Sequence, residues 1–200
     1  MLNVILLAST QPRVGKSTLT KALLREIPNS ASLSFAVPIK HICYNLYKDI
    51  LSNFDQNPEY TLEDYKQLKK DVPMEGVFNT SPRHQYCEGS NFISSLTSDE
   101  IWGKLAVHNI KKLAETGINT IIIDDWRRLL ELRTLVEEND FNCITVYLDK
   151  DGIEVYEGTA ATESFEGQIS KEDCSLFFKF NNDWSNSNEI VNILKETVTG

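Results

Sequence analysis

The sequence has 200 residues, of which 41% are hydrophobic, and its formal net charge at pH 7 is −9. That length fits one compact domain, and the apolar fraction is enough for a sizeable core, which excludes extensive disorder. The acidic balance opposes nonspecific binding to a nucleic-acid backbone, whereas a few local amides and cations suffice to hold a small phosphorylated molecule. Nucleic acid is therefore an unfavoured partner.

The cysteines and the apolar segments bear on the cellular compartment. The four cysteines are scattered, without a C-x-x-C pair, and are interpreted as free thiols in a reducing compartment. The apolar run Val4–Leu7 is too short for a signal peptide or a membrane span, and no later segment reaches the required length. We expect a cytoplasmic protein without membrane contact. The sequence does not determine the oligomeric state, and a homodimer is one of the states it allows.

Strand and helix patterns alternate along the chain. In chain order, the predicted elements are a strand at Asn3–Ala8, a helix between Gly15 and Pro28, a strand at Ser32–Val37, a helix from Pro38, a short helix at 61–71, a helix between Thr97 and Gly117, a strand at Asn119–Ile123, a helix at 128–139, strands at Phe141–Leu148 and Ser175–Phe180, and a last helix from Asn186. Residues 52–96 are otherwise predicted to be irregular. A capping box is predicted for Thr97 with Glu100, and Asn186 and Glu189 are predicted to cap the last helix.

This alternation predicts an α/β fold with a five-stranded, mostly parallel sheet and helices on both of its faces, in three layers. In such sheets ligands bind at the carboxyl ends of the strands. Functional residues are therefore expected just after the first three strands.

A phosphate-binding loop is predicted at Thr10–Ser17, which has the sequence TQPRVGKS. It matches G-x-x-x-x-G-K-[ST] except that Thr10 replaces the first glycine, and it lies between a strand and a helix, the context in which backbone N–H groups bind an anion. Lys16 would reach the β- and γ-phosphates, and the Ser17 hydroxyl would bind Mg²⁺. The residues predicted to contact ATP are Thr10, Val14, Gly15, Lys16, Ser17 and Thr18. The alternative is a chance G-K-S tripeptide that opens an ordinary helix.

Two acids and an arginine follow the third strand. A carboxylate at this position can hold Mg²⁺ or its water, or accept a proton or a hydrogen bond from the substrate. Asp124 is assigned to the metal and Asp125 to catalysis, but a shift of one residue in strand register would exchange them. Arg127 can bind phosphate through two hydrogen bonds. The alternative is that the acids cap the next helix and that Arg127 pairs with Glu131.

Several segments, taken together in their order and spacing, resemble the bacteriophage deoxynucleoside monophosphate kinase family. They are Arg13–Ser17, Phe35–Lys40, Ser81–Arg83 with Gly89 and Ile101–Trp102 beyond it, Asp125–Arg127 followed by Glu131, Thr162–Glu163, and Asn181–Asp183.

The resemblance implies the P-loop NTPase fold of the nucleoside monophosphate kinases, in one domain over residues 1–200. A monophosphate-binding insertion is expected at residues 38–96 and a lid at residues 151–170. The implied activity converts a deoxynucleoside monophosphate to its diphosphate with ATP and Mg²⁺, in support of nucleotide biosynthesis. If the protein is phage-encoded, it would act in the host cytoplasm.

The resemblance also suggests roles for cations. Lys40, Arg83, Arg127 and Arg128 are predicted to bind the acceptor, and Arg13, Lys16, Asp125 and Arg127 to act in catalysis. The chain departs from the family at Thr10, and residues 151–170 contain no lysine or arginine. Charge on the transferred phosphoryl group would then be offset by Arg13, Arg127 or Arg128. The alternatives are another small-molecule kinase, a noncatalytic nucleotide-binding regulatory protein, and a kinase acting on modified bases within DNA.

Overall fold

The computed structural model describes residues 1–9, 14–57, 59–68, 72–73, 76–138, 140–151, 169–181 and 183–200. The chain divides into two compact units. One unit holds Met1–Phe35 and Glu100–Gly200, and the other holds Ala36–Asp99.

A five-stranded parallel sheet forms the centre of the first unit. Its strands are β1 (Leu2–Ala8), β2 (Ser30–Leu33), β3 (Thr120–Ile123), β4 (Phe141–Lys150) and β5 (Leu176–Phe180). They lie in the order β2-β3-β1-β4-β5, and every neighbouring pair is parallel. The predicted α/β class and five-stranded sheet are thus confirmed, and the sheet is parallel throughout. Because β1 lies between β3 and β4, its carboxyl end lies between theirs.

Helices connect the strands and also build the second unit. In chain order they are α1 (Lys16–Glu26), α2 (Val37–Phe54), α3 (Leu62–Gln67), α4 (Pro82–Leu96), α5 (Ile101–Glu115), α6 (Leu129–Glu137) and α7 (Ser187–Thr199), with a 3₁₀ turn at Lys171–Asp173.

The sheet separates two hydrophobic cores, because successive residues of a strand point to opposite faces. Ile5 and Leu7 of β1 belong to the core formed with α1 and α7. Val4 and Leu6 belong to the core formed with α5 and α6. All four side chains are fully buried. This three-layer arrangement fixes the end of β1, from which the predicted phosphate loop begins.

The second unit contains α2, α3 and α4, and α2 packs against the other two helices. Each helix contributes one tyrosine to an aromatic cluster. The ring centroids of Tyr44 and Tyr65 are 6.1 Å apart, and those of Tyr65 and Tyr86 are 6.0 Å apart. At the start of α3, Thr61 Oγ1 accepts a hydrogen bond from the Asp64 amide, and the Asp64 carboxylate accepts one from the Thr61 amide.

The predicted strand at Ser32–Val37 was wrong in its extent. β2 ends at Leu33, and α2 begins at Val37. The chain leaves the sheet because the Phe35 amide donates a 2.9 Å hydrogen bond to Oδ1 of Asp125 instead of to a neighbouring strand. The next carbonyl, that of Ala36, already accepts from the Lys40 amide at 3.2 Å, and this bond starts the helix.

The prediction that residues 52–96 are irregular apart from one short helix was also wrong, because α4 lies within them. Ser81 is its N-cap, and the Ser81 hydroxyl accepts a hydrogen bond from the His84 amide at 3.3 Å. Pro82 occupies the first helical position, where its missing N–H costs nothing.

The capping box predicted for Thr97 and Glu100 does not form, and Asn186 caps the last helix in position but not through its side chain. The Thr97 hydroxyl donates back to the Ile93 carbonyl of α4 at 2.7 Å, and Glu100 is the N-cap of α5. Asn186 is the N-cap of α7, but its side chain bonds to the Asn181 amide and to the Lys179 carbonyl of β5. In both cases the polar side chain binds main-chain groups that precede the helix rather than the helix itself.

The four cysteines are free, as predicted. Burial raises the pKa of Cys143 to about 11 and that of Cys174 to about 12, so these two thiols remain protonated near neutral pH. Among the described helices, none combines the length and the apolar character that crossing a bilayer requires.

Candidate phosphate-binding site

The phosphate loop meets α1 at Gly15, whose φ of +98° lies in the left-handed region that favours glycine. Val14, just before it, is buried in the core shared by α1 and α7, whereas Ser17 and Thr18 are exposed. The first turn of a helix leaves its N–H groups without intrahelical acceptors, and the helix dipole adds positive potential there. The first turn of α1 carries no acidic residue. This helix start is therefore suited to bind an anion.

Ser17 and Asp124 lie side by side. The Ser17 hydroxyl donates to Oδ2 of Asp124 at 2.9 Å. Their proximity follows from the parallel pairing of β1 with β3, in which Leu6 is opposite Ile123, because Asp124 then emerges next to the loop that follows β1. A hydroxyl and a carboxylate are both hard oxygen ligands of the kind Mg²⁺ prefers.

The donor set around this pair is small. Within the described ranges, no group of three or more His, Cys, Asp or Glu side chains could hold a metal ion. Mg²⁺ characteristically keeps several waters and takes only one or two carboxylates, with substrate phosphates completing its coordination. Ser17 and Asp124 therefore fit Mg²⁺ bound together with a phosphorylated ligand.

Asp125 has different partners from Asp124. Its Oδ2 accepts a hydrogen bond from the Ser34 hydroxyl at 2.6 Å, and its Oδ1 accepts one from the Phe35 amide at 2.9 Å. Asp125 thus ties the end of β3 to the turn that follows β2. The alternative that the two acids cap the next helix is not what is observed, since Arg128 is the N-cap of α6.

The main chain of Arg127 and Arg128 is fixed from two sides. Oε2 of Glu131 accepts hydrogen bonds from both amides at 3.2 Å. The indole N–H of Trp126, a residue only 1% exposed, donates to the Arg128 carbonyl at 2.9 Å. The Arg127 side chain is exposed and that of Arg128 is half-buried. Both guanidinium groups therefore extend from a rigid turn.

Glu131 has an unusual ionisation. Burial raises the pKa of its carboxyl to about 7. The backbone N–H groups of Arg127 and Arg128 favour the ionised form, while the nearby charge of Asp125 opposes it. The carboxyl that holds the arginine turn therefore changes its charge near neutral pH.

The two other predicted acceptor residues lie in the second unit. Lys40 is in the first turn of α2, and Arg83 is in the first turn of α4, directly after Pro82. Both side chains are half-buried. A cation at a helix N-terminus adds to the positive potential of the helix dipole, so each position is suited to bind a phosphate.

Some predicted positions lie outside the described residues. They are Thr10 and Arg13 of the phosphate loop, residues 152–168 of the predicted lid with Thr162 and Glu163, and Asn182.

Sequence reasoning missed Trp184, which follows β5 and lies against Gly15. A Cβ atom on Gly15 would overlap Cη2 and Cζ3 of the Trp184 ring. Lys150, at the end of β4, places its Nζ 4.2 Å from the centroid of the same ring. The available clue was a lone tryptophan in a polar segment directly after a predicted strand.

A scan against protein-family models finds no match for this chain, and a search of curated proteins finds none either. The functional assignment therefore depends on the geometry of the site and on the sequence motifs.

Proposed function

We propose that this protein is a P-loop kinase of the nucleoside monophosphate kinase type, which transfers the γ-phosphate of ATP to a deoxynucleoside monophosphate. The observation that carries the proposal is the hydrogen bond between Ser17 and Asp124, beside a helix that begins at Gly15-Lys16. A chance G-K-S tripeptide would not require a carboxylate from another strand at hydrogen-bonding distance from its serine. The resemblance to the bacteriophage deoxynucleoside monophosphate kinases and the central position of β1 in a parallel sheet support the same assignment.

In this proposal the donor's phosphates bind the N–H groups at the start of α1, and Lys16 contacts the β- and γ-phosphates. Ser17 and Asp124 would hold Mg²⁺, which neutralises charge on the β- and γ-phosphate oxygens when bound. The first turn of α1, free of acidic side chains, does not oppose this binding. These residues therefore account for the donor half of the reaction.

The residues proposed to bind the acceptor are those that the family resemblance suggests, namely Lys40, Arg83, Arg127 and Arg128. A phosphate oxygen of the acceptor attacks the γ-phosphorus, the bond from that phosphorus to the β–γ bridging oxygen breaks, and ADP leaves with the electron pair. Such transfer needs positioning and charge stabilisation more than covalent chemistry. Asp125, with both oxygens bound to the turn after β2, is proposed to act by holding that turn.

The test is a coupled assay of ADP release with Mg²⁺ across all deoxynucleoside and ribonucleoside monophosphates. We expect release that depends on Mg²⁺ and is stimulated by at least one deoxynucleoside monophosphate. Stimulation only by an acceptor that is not a nucleotide would favour another small-molecule kinase. ATP binding without stimulation by any acceptor would favour a noncatalytic nucleotide-binding protein.

A further inference from the structure

The turn between β5 and α7 holds Trp184 in a strained conformation. Its φ of +62° lies in the left-handed region, which is unfavourable for a residue with a bulky side chain. Strain of this kind persists only where the surrounding structure determines the conformation, and it concentrates at functional sites.

Hydrogen bonds on both sides of Trp184 fix its backbone. Its amide donates to the Asn181 carbonyl, and its carbonyl accepts from the Ser187 amide, each at 3.0 Å. The Asn186 side chain accepts from the Asn181 amide at 3.0 Å and donates to the Lys179 carbonyl at 2.8 Å. The side chain predicted to cap α7 is thus used to brace this turn instead.

Three neighbours surround the indole. The ring of Phe180, which is 1% exposed, lies with its centroid 4.8 Å from that of Trp184 and joins it to the core. Nζ of Lys150 lies over the indole, 4.2 Å from the centroid, where a cation interacts favourably with the π-system. The third neighbour is Gly15, which meets the six-membered ring at its edge.

The contact with Gly15 leaves no room for a side chain. A Cβ there would overlap Cη2 and Cζ3 of Trp184 and would lie 3.4 Å from Cζ2, on the same side of the ring. Gly15 is also the N-cap of α1, so its φ of +98° determines how the first N–H groups of that helix are directed. The indole edge therefore lies against the residue that sets the geometry of the anion site.

We propose that Trp184 is a positioning residue for the phosphate loop: its indole holds Gly15 in the left-handed conformation that directs the N–H groups of α1 at the donor's phosphates. This inference rests on the proposed function and deepens it. Without the indole, Gly15 has more conformations available, and a ligand must select the competent one, which lowers the apparent affinity. The loss of affinity should therefore be measurable with a polyphosphate alone, because the indole acts through the phosphate loop.

A purely structural role for Trp184 predicts something different. If the indole only fills the core, its loss should lower stability. The affinity for triphosphate should then change no more than in another variant that is destabilised to the same extent. Phe177 is the control, because it is an aromatic residue of β5, the strand before the turn that holds Trp184; it is 48% exposed and packs on Tyr147.

The test measures binding of inorganic triphosphate with Mg²⁺ to the full chain by calorimetry, together with Tm, for wild type, Trp184→Ala, Trp184→Phe and Phe177→Ala. We expect Trp184→Ala to weaken triphosphate binding by about tenfold or more, and Trp184→Phe to weaken it as well while lowering Tm less, because a phenyl ring can pack on Phe180 but ends short of the Cη2 and Cζ3 positions that meet Gly15. Phe177→Ala should lower Tm and leave the triphosphate Kd unchanged. Where Trp184→Ala does not fold, Trp184→Leu, which keeps the core contact but falls short of Gly15, takes its place with the same expectation.

Equal triphosphate affinity in wild type and Trp184→Ala would overturn the positioning role and leave the proposed function standing. Equal weakening by Trp184→Ala and Phe177→Ala would overturn it as well. A wild-type protein that binds neither triphosphate nor ATP would remove both the positioning role and the proposed function.

Discussion

The Ser17 hydroxyl donates a 2.9 Å hydrogen bond to Oδ2 of Asp124, and the two residues lie 107 positions apart in the chain. A serine hydroxyl that gives its proton to a carboxylate keeps its lone pairs for a cation. This hydrogen bond thus orients the Ser17 hydroxyl oxygen and Oδ2 of Asp124 before any ligand binds. Preorganised ligands cost less to assemble when Mg²⁺ and a nucleotide bind.

Asp124→Asn should raise the Mg²⁺ concentration that gives half-maximal ADP release and lower kcat by about tenfold or more, because the amide lacks the charge that binds the cation. A Mg²⁺ titration of the coupled assay measures both effects. Asp125→Asn is the control: it should lower Tm, since it weakens the bonds to Ser34 and Phe35, and leave the Mg²⁺ dependence unchanged. The reverse pattern would assign the metal to Asp125.

Lys16→Ala should abolish phosphoryl transfer and leave the fold intact, because Lys16 begins α1 and lies outside both hydrophobic cores. ADP release and Tm are measured in parallel. Lys21→Ala, an exposed lysine further along the same helix, should retain wild-type activity. Near-normal turnover by folded Lys16→Ala would refute the loop assignment.

Arg83→Ala should chiefly raise KM for the nucleoside monophosphate, provided that Arg83 contacts the acceptor equally in the ground and transition states. The KM for ATP should not change. Arg133→Ala, which removes an exposed cation paired with Glu137, is the control for nonspecific loss of positive charge. If kcat and KM for the best acceptor were unchanged in Arg83→Ala, Arg83 would not belong to the site.

Arg13→Ala should lower kcat by at least about a hundredfold, with a much smaller effect on ATP affinity, because an arginine that offsets charge on the transferred phosphoryl group acts in the transition state. Residues 151–170 supply no cation for this task. Arg128→Ala is the comparison, since Arg128 extends from the turn fixed by Trp126 and Glu131. A loss below about threefold for Arg13→Ala beside a large loss for Arg128→Ala would transfer the role to Arg128.

The contribution of Glu131 to the free energy of unfolding should fall as the pH rises from about 4.5 to about 7, because half-buried Glu131 keeps its proton in the folded state over a range where the unfolded chain has lost it. The contribution is at most about 3 kcal/mol, from a pKa of about 7 in the folded state and 4.5 in the unfolded chain. Denaturant unfolding of wild type and Glu131→Gln at about pH 5 and about pH 8 measures it.

Glu131→Gln should lose less free energy of unfolding between these two pH values than wild type does. Its amide oxygen still accepts hydrogen bonds from the Arg127 and Arg128 N–H groups, but the amide does not ionise. Glu137→Gln, an exposed residue of the same helix, should behave like wild type. An identical pH dependence in wild type and Glu131→Gln would mean that Glu131 ionises normally in the folded protein.

The sequence predicted the sheet, and the position of Asp124 directly after β3, because both depend on local patterns. The run Ile121–Ile123 is apolar at every position, as a strand buried on both faces must be, and Asp124 follows it directly. The sequence left open which acid faces the loop, because that choice depends on pairing with β1. Only the three-dimensional structure separates Asp124, beside Ser17, from Asp125, beside Ser34.

Other features escaped prediction for identifiable physical reasons. α4 contains three serines, one asparagine and one glycine, and its buried residues are Pro82 and Ser94, so its sequence lacks a run of large apolar residues. Its start at Ser81-Pro82 was nevertheless visible as an N-cap followed by proline. The position of Trp184 could not be predicted, since propensity argues against a left-handed tryptophan and the contact with Gly15 is long-range.

The central position of β1 has a consequence for how the protein folds. Asn3 pairs with Thr120 on one side and Asn142 on the other, so both ladders of this strand close very long loops. Contacts so distant in sequence slow folding, since chain entropy is lost before the pairing repays it. Before β3 and β4 are in place, the segment after β1 has no scaffold, and a nucleotide has nothing specific to bind. Nucleotide should therefore slow the unfolding of this protein without accelerating its folding.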